Sequence, residues 1–295
     1  PLVVVGGGTA MVGDPSGRTE RRQMLSQDTI TQNAHALRAQ LQRYLALEGD
    51  TGALVVNNAD WLLDLKYLDF LRDIGRHFSV NRMLTFEAYT QRMETGLSFI
   101  EFNYHLLQAY DFLVLFQRYG CVLQMGGDDQ WGNMVAGAEL IRRVADGEAF
   151  AMTFPLLTTA SGQKMGKTAA RAVWLDAELT SPYEFYQFWI NVDDRDVRRL
   201  LNYYTLLPLA EVARLGALQG AELRQAKETL AFEVTTLTHG RAAARAAQNA
   251  ARALFDGAGG LEGVPETVLR QGRLAAGVPV VDVLVETGLA ASKSA

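Results

Sequence analysis

The chain has little cysteine, little histidine and no long apolar run, and each shortage excludes a class of protein. Its 295 residues include one cysteine, Cys121, which excludes a disulfide within the chain and a cysteine-cluster metal site. This usage fits a reducing compartment, so we expect a cytoplasmic protein. No apolar run reaches about 18 residues, and we expect no membrane partner. The four histidines are scattered, without a carboxylate or cysteine at ligand spacing, and predict no zinc site.

The composition is that of a folded globular protein, and the length of 295 residues predicts two domains at roughly 100–200 residues each. Hydrophobic residues make up 48% and charged residues 21% of the chain, which argues against extensive disorder. The 28 Lys and Arg against 33 Asp and Glu give a net charge of −5. That balance excludes a wholly basic nucleic-acid coat protein but leaves a local basic patch open.

The two ends of the chain lie next to structured patterns. It begins without Met, directly in the strand-like run Pro1–Val5, and ends just after an amphipathic helix-like run. From these ends we expect a fragment that is cut on both sides.

Strand patterns alternate with helix patterns over the first 180 residues. Short apolar runs at 2–5, 53–57 and 121–125 predict buried strands, and helical spacing predicts helices at 26–48, 60–75, 85–94, 99–119 and 130–144. Such alternation predicts an α/β domain with a parallel sheet covered on both faces.

After residue 180 the pattern becomes helical throughout. Pro182 begins a run with helical spacing, and residues 208–219 and 221–254 continue as helices. We therefore expect an α/β domain over 1–180, a mainly α-helical domain over 181–255, a linker over 256–276 and the first helix of a further domain over 277–295.

A glycine-rich turn follows the first strand. Gly6, Gly7 and Gly8 allow a ligand to approach the backbone closely, but Met11 stands where a dinucleotide fingerprint needs its third glycine. A tight strand-to-helix turn without a ligand is the alternative interpretation. Asp14 follows at the carboxyl end of the strand, where a carboxylate is suited to hold a cation such as an amine.

The helix predicted at 99–119 carries a polar stripe. Tyr104, Gln108 and Asp111 stand at i, i+4 and i+7, so they lie on one side of an otherwise apolar helix. A solvated helix face and the polar wall of a pocket both account for this pattern.

A second glycine turn follows the strand at 121–125 and carries two carboxylates. Gly127 precedes Asp128, Asp129 and Gln130 at the start of a helix, where ligands of parallel α/β sheets bind. Adjacent carboxylates are candidate Mg²⁺ ligands. We favour an arrangement in which one carboxylate binds a ribose hydroxyl and the other caps the helix. Helix capping without a ligand remains an alternative.

A lysine-rich loop spans residues 162–168. Only three residues separate Gly162 from Gly166, one fewer than a P-loop requires. Lys164 and Lys167 nevertheless suit a loop that clamps triphosphate oxygens, since ammonium groups bind phosphate as point charges. A solvated loop is the alternative.

Four segments, taken together, resemble the bacterial tyrosyl-tRNA synthetases, which are class I aminoacyl-tRNA synthetases. These segments are 102–112, 124–133, 164–168 and 181–189. The loop at 164–168 reads Lys-Met-Gly-Lys-Thr where the family has Lys-Met-Ser-Lys-Ser, and its glycine and threonine resemble the tyrosyl subfamily. Arg171 departs from the glycine expected after this loop. The resemblance covers nearly the whole chain and implies a Rossmann-like parallel sheet in the catalytic domain.

The resemblance implies that L-tyrosine is activated with ATP and Mg²⁺ and transferred to tRNA(Tyr). It assigns Lys164, Lys167 and Thr168 to the pyrophosphate and Gly127 and Asp129 to the ribose of ATP. It assigns the remaining site residues to the groups of tyrosine: Asp14, Tyr104 and Gln108 to the ammonium group, Asp111 to the phenol, and Gln130 to the carboxylate. The wall around this pocket in the family is matched by Asn57, Asn58 and Trp61.

The resemblance also implies what surrounds this site. Residues 60–100 correspond to an insertion through which the family forms homodimers, and 181–255 to a helical anticodon-side domain. The family's His-Ile-Gly-His signature would precede Pro1, so we expect the chain starting there to be nearly inactive. A P-loop ATPase and a non-catalytic RNA-binding homologue remain as alternatives.

Overall fold

A computed structural model describes residues 1–13, 25–86, 89–90, 93, 96–160, 162, 165, 173–256, 267–268, 277–287, 289–290 and 292. The chain divides into two compact units, Pro1–Arg171 and Ala172–Ala295. In the described part of the chain, no helix combines the length and apolarity needed to cross a membrane.

Two parallel strand pairs form the sheet elements of the first unit. Strand β1 (Leu2–Val5) pairs with β2 (Leu54–Asn57), and β3 (Leu123–Gly127) pairs with β4 (Phe150–Phe154). Parallel pairs joined by helical crossovers fit the predicted α/β class, but the described residues form two separate two-stranded sheets rather than one sheet. Strand β4 was not predicted from the sequence, which assigns no element to residues 150–154.

The helices of the first unit follow the predicted order, and those between residues 59 and 83 are short. They are α1 (Gln27–Leu41), α2 (Ala59–Leu62), α3 (Tyr67–Asp73), α4 (Val80–Met83), α5 (Phe99–Tyr119) and α6 (Trp131–Val144). Helix α1 ends at Leu41 rather than at 48, because the chain turns back toward β2 through Gly49, whose φ is 84°. The predicted helix 60–75 is divided because the backbone is extended at Lys66. The helix predicted at 85–94 lies partly outside the described residues.

Helices α5 and α6 form the core of this unit. Helix α5 begins with a capping box between Ser98 and Glu101 and ends at Gly120, whose φ is 64°. Phe112 on α5 is fully buried against Gly137 on α6. A Cβ atom at residue 137 would lie 2.8 Å from the Cβ of Phe112, so this close helix contact requires glycine.

The second unit is helical, as predicted. Its helices are α7 (Pro182–Ile190), α8 (Val197–Tyr204), α9 (Leu209–Leu215), α10 (Leu223–His239), α11 (Arg241–Asp256) and α12 (Val280–Glu286). The single helix predicted at 221–254 is two helices, because Gly240 takes a φ of 86° between them. Most of the predicted linker 256–276 lies outside the described residues.

Candidate functional site

The glycine turn after β1 is held by two asparagines that follow β2. Gly7 N donates to Asn57 Oδ1 at 3.1 Å, and Gly8 N donates to Asn58 Oδ1 at 2.8 Å. A Cβ atom on Gly7 would lie 2.4 Å from Asn57 Oδ1, so glycine is required for this packing. The glycines therefore fix the turn against β2, and this packing explains their presence without a ligand.

Asn58 connects this turn to Asp111 on α5. Its Nδ2 donates to Asp111 Oδ2 at 2.9 Å and to Thr9 Oγ1 at 2.9 Å, and the side chain is 1% exposed. Trp61 Nε1, on α2, donates to the other carboxylate oxygen of Asp111 at 2.7 Å. Two donors from residues 58–61 thus hold a buried carboxylate about 50 residues further along the chain.

The environment of Asp111 changes its acidity. Burial raises the pKa of Asp111 to about 6, and the hydrogen bonds from Asn58 and Trp61 offset part of the rise. The carboxylate is ionised at neutral pH and retains lone pairs beyond the two that accept these donors. It is therefore able to accept one further hydrogen bond from a hydroxyl group that reaches it.

The polar stripe of α5 lines a cavity of about 1030 Å³. Tyr104, Gln108 and Asp111 all contribute to its wall, as the pocket interpretation of this stripe predicts. Asn58 and Gln130 line the same cavity. The structure therefore brings together five of the residues that the sequence analysis selects.

The turn after β3 places Gln130 in this wall but leaves Gly127 and Asp129 outside the lining. A Cβ atom on Gly127 would lie 2.6 Å from Asp129 Oδ1, so the glycine makes room for that carboxylate. Neither aspartate caps α6, whose start receives no side-chain cap from the described residues. Among those residues, no three potential ligand side chains cluster as a metal site.

Thr9 is a wall residue that the sequence analysis omits. It is 5% exposed, lines the cavity and accepts from Asn58. In the sequence, Thr9 is marked only by its position directly after three glycines. That position is equally typical of a turn residue with no role in a site.

Several selected residues lie outside the described part of the chain. Asp14 is one, and Lys164, Lys167 and Thr168 of the lysine loop are the others, together with Arg171. Of that loop the structure describes Gly162, whose φ is 82°, and Met165, whose N donates to Leu157 O at 3.0 Å.

Comparison with known proteins shows the family of this chain. The family model described as tRNA synthetases class I (W and Y) matches residues 1–256. A tyrosine–tRNA ligase of Clostridium botulinum is 55% identical over 99% of this chain and 71% of its own length. One of Cereibacter sphaeroides is 57% identical, with the same coverage of both chains.

Solved structures give the same result. A C-terminally truncated mitochondrial tyrosyl-tRNA synthetase of Aspergillus nidulans superimposes with a TM-score of 0.75 at 30% identity, covering 86% of this chain and 76% of that one. A tyrosyl-tRNA synthetase of Archaeoglobus fulgidus, complexed with L-tyrosine, gives a TM-score of 0.61 at 17% identity, covers 84% of this chain and 79% of that one, and supports the fold alone. The chain belongs to the class I tRNA synthetases of the W and Y family, and within it to the bacterial tyrosyl-tRNA synthetases.

Proposed function

We propose that the cavity beside α5 is the amino-acid activation site of this tyrosine–tRNA ligase. In the reaction of the family, the carboxylate of tyrosine attacks the α-phosphate of ATP, and tyrosyl-adenylate and pyrophosphate form. The tyrosyl group is then transferred to the 3′ end of tRNA(Tyr). The observation that carries the proposal is the buried Asp111 carboxylate, held by Asn58 and Trp61 in the wall of a cavity.

Asp111 binds the phenolic hydroxyl of tyrosine in this proposal. Its two protein donors fix the carboxylate at one wall and leave acceptor capacity for the substrate. Phenylalanine brings no donor, so it would bury the carboxylate without a third partner. A hydrogen bond to a charged group contributes roughly 1.5–3 kcal/mol. We expect the binding free energies of tyrosine and phenylalanine to differ by about this amount.

The other end of the stripe binds the groups that all amino acids share. Gln108 and Tyr104 lie one and two turns along α5 from Asp111, and both line the cavity. We assign them to the ammonium group, together with Asp14. Gln130, also in the cavity wall, is assigned to the reacting carboxylate.

ATP enters this site as its Mg²⁺ complex in our proposal. Gly127 and Asp129, which lie next to the cavity wall at Gln130 but not in its lining, are assigned to the ribose, because parallel sheets bind nucleotides at the carboxyl ends of strands such as β3. Lys164 and Lys167 neutralise the pyrophosphate as its charge develops, and the hydroxyl of Thr168 donates a hydrogen bond to it. The protein contributes chiefly position and charge, because phosphoryl chemistry asks for little covalent participation.

The remaining parts of the chain have proposed roles in assembly and in tRNA binding. The helical domain 181–255 is assigned to the anticodon side of tRNA(Tyr). The insertion at 60–100 is assigned to a symmetric homodimer interface, where Leu68 is 77% and Phe99 71% exposed. A cytoplasmic location fits these substrates and the single cysteine.

Tyrosine-dependent exchange of pyrophosphate into ATP tests the proposal. The full-length protein is expected to catalyse this exchange with Mg²⁺ and to prefer tyrosine over phenylalanine. A P-loop ATPase would hydrolyse ATP without an amino acid, and a non-catalytic RNA-binding homologue would bind tRNA without exchange. Either result would contradict the assignment of the cavity.

A further inference from the structure

The side-chain amide of Gln124 lies in the wall of the cavity and is not used by the protein's own hydrogen bonds. Gln124 is the second residue of β3 and lines the cavity beside α5. Its Oε1 atom is buried and accepts no hydrogen bond from the part of the chain that the structure describes, and its amide nitrogen donates none there. Burial of an unpaired carbonyl carries a cost that an apolar side chain of similar length would avoid. An amide at this position therefore points to a polar ligand in the cavity.

The register of β3 directs this side chain toward the helices. Alternate residues of a strand point to the same face, so Gln124 and Gly126 share one. A Cβ atom on Gly126 would lie 3.3 Å from Gln130 Cβ and 3.5 Å from the sulfur of Met134 on α6. The face of β3 that carries Gln124 is therefore the face toward α6 and the cavity wall at Gln130.

Helix α5 and strand β3 run in opposite directions along the cavity. Helix α5 ends at Gly120, and Cys121 N donates back to Leu115 O at 3.2 Å, so the chain turns directly into β3. In α/β units, a helix that leads into a strand of a parallel pair runs antiparallel to that strand. A step toward the carboxyl end of α5 is therefore a step toward the amino end of β3.

This antiparallel course places Gln124 level with Asp111. From Gln108 to Asp111 the helix advances about 4.5 Å. From Gly126 back to Gln124 the strand advances about 6.6 Å in the same direction. Because Gly126 faces Gln130, at the end of the cavity assigned to the amino-acid carboxylate, Gln124 lies toward the end assigned to the phenol.

We propose that Gln124 is a specificity-determining residue, whose amide N–H donates to the phenolic oxygen of tyrosine. In the proposed function the hydroxyl gives its proton to Asp111, so only its lone pairs remain for a second partner. An amide N–H is such a partner, and the terminal torsion of glutamine is broad enough for this end to turn toward the substrate. The inference rests on the proposed function of this cavity and adds the donor that a carboxylate does not provide.

A pair of matched substitutions and a substrate without the hydroxyl test this contact. Gln124→Met keeps the length of the side chain and removes the amide. Gln117→Met makes the same change at an exposed glutamine of α5 that lies outside the cavity lining. The measurement is kcat/KM for pyrophosphate exchange by the full-length protein with tyrosine and with phenylalanine, with the melting temperature recorded for each variant.

The expected loss is confined to Gln124→Met with tyrosine as substrate. We expect kcat/KM for tyrosine to fall about three- to tenfold, the effect of one neutral hydrogen bond, and kcat/KM for phenylalanine to stay within about twofold. Gln117→Met should leave both values within about twofold of wild type. If Gln124→Met is too unstable to assay, Gln124→Leu replaces it with the same expectation. Equal losses with the two amino acids, or no loss with either, would overturn the inference.

Asp111→Ala, measured in the same assay, separates this inference from the proposed function. A wild type without preference for tyrosine, or an Asp111→Ala variant with the wild-type preference, would refute the proposed phenol site and the inference with it. A preference that falls in Asp111→Ala but not in Gln124→Met would overturn the inference alone and leave the assigned role of Asp111 intact.

Discussion

At the scale of single residues, the site depends on a carboxylate whose partners come from other parts of the chain. The i, i+4, i+7 spacing selects Asp111 from the sequence, because a helical period places it beside Tyr104 and Gln108. The two donors that hold it, Asn58 and Trp61, lie 53 and 50 residues away. Local pattern carries no information about these long-range contacts, so the sequence suggests Asn58 and Trp61 as neighbours of this site only through the family resemblance.

Substitutions at the two ends of the stripe are expected to have different effects on specificity. Asp111→Ala in the full-length protein should lower the preference for tyrosine over phenylalanine by about 10- to 100-fold, since one charge-assisted hydrogen bond is lost. Gln108→Ala should weaken both amino acids equally, because it contacts the group that they share. Kinetic measurement of both ratios decides the matter. A shifted ratio in Gln108→Ala, with an unchanged ratio in folded Asp111→Ala, would reverse the assignment.

The acidity of Asp111 is expected to appear in the pH dependence of activation. Its pKa of about 6 predicts that kcat/KM for tyrosine falls as pH drops below 6, because the protonated group is a poorer acceptor. Trp61→Phe keeps an aromatic ring but removes the donor that lowers this pKa, so the midpoint should move to higher pH. Exchange rates measured between pH 5 and 8 for both proteins test this. A midpoint unmoved by the substitution would show that another group titrates.

His105 is expected to make the fold sensitive to acid. Its folded-state pKa of about 4 lies below the ordinary value of 6.5, so the unfolded chain binds the proton more tightly. The stability contributed by neutral His105 is complete above pH 6.5 and is lost as pH falls through 4. The loss amounts to about 3 kcal/mol at pH 4.

Urea unfolding of wild type and His105→Asn isolates this contribution, because asparagine does not titrate. The free energy of unfolding of wild type should fall relative to that of the variant between pH 6.5 and 4. Asp111 acts in the opposite direction, since its raised pKa gives stability that is lost as pH rises through 6. Asp111 is present in both proteins and cancels in the difference. A difference that is constant with pH would contradict the buried neutral histidine.

At the scale of elements, predictability follows the strength of local signals. Helix α5 has the predicted bounds, because Ser98, Glu101 and Gly120 mark both ends of a long apolar helix. Strand β4 is recognisable only as a short apolar run between Gly147 and Pro155, a signal that many loops share. Gly240 shows the same limit, since a glycine within a helical pattern is compatible with a continuous helix and with the break observed.

The contact between α5 and α6 is expected to tolerate no side chain at residue 137. Gly137→Ala would place a methyl group 2.8 Å from Phe112 Cβ, in a core where neither helix is free to move. Overpacking of this kind costs roughly 1–3 kcal/mol, which exceeds the gain of up to about 1 kcal/mol in helix propensity. Gly132→Ala, with its nearest contact at 3.1 Å on the half-buried Phe86, serves as the control and should be nearly neutral. Equal stabilities of the two variants would contradict this packing argument.

At the scale of the whole molecule, the order of elements was more predictable than their assembly into a site. Alternating strands and helices followed by helices alone indicate the α/β and helical regions, because periodicity is read along the sequence. The cavity requires that β1, residues on either side of β2, β3 and one face of α5 come together. That convergence results from tertiary packing, and the sequence predicts it only through the resemblance of several motifs at once.

The segment 60–100, proposed above as an interface, is expected to pair two copies of the molecule. It contributes Phe70 to the core, where this residue is 9% exposed, but leaves Tyr67 60% and Leu68 77% exposed. A twofold axis through this surface would bury the same apolar side chains of both copies, which is the commonest form of oligomer. Sedimentation equilibrium at micromolar concentration should therefore show a dimer of the full-length protein.

Leu68→Asp should shift this dimer toward monomer, because each copy would place a charge in the interface. Leu206→Asp, at a leucine 91% exposed in the other unit, is the matched control and should leave the dimer intact. A monomeric wild type, or equal effects of the two substitutions, would refute an interface at this insertion.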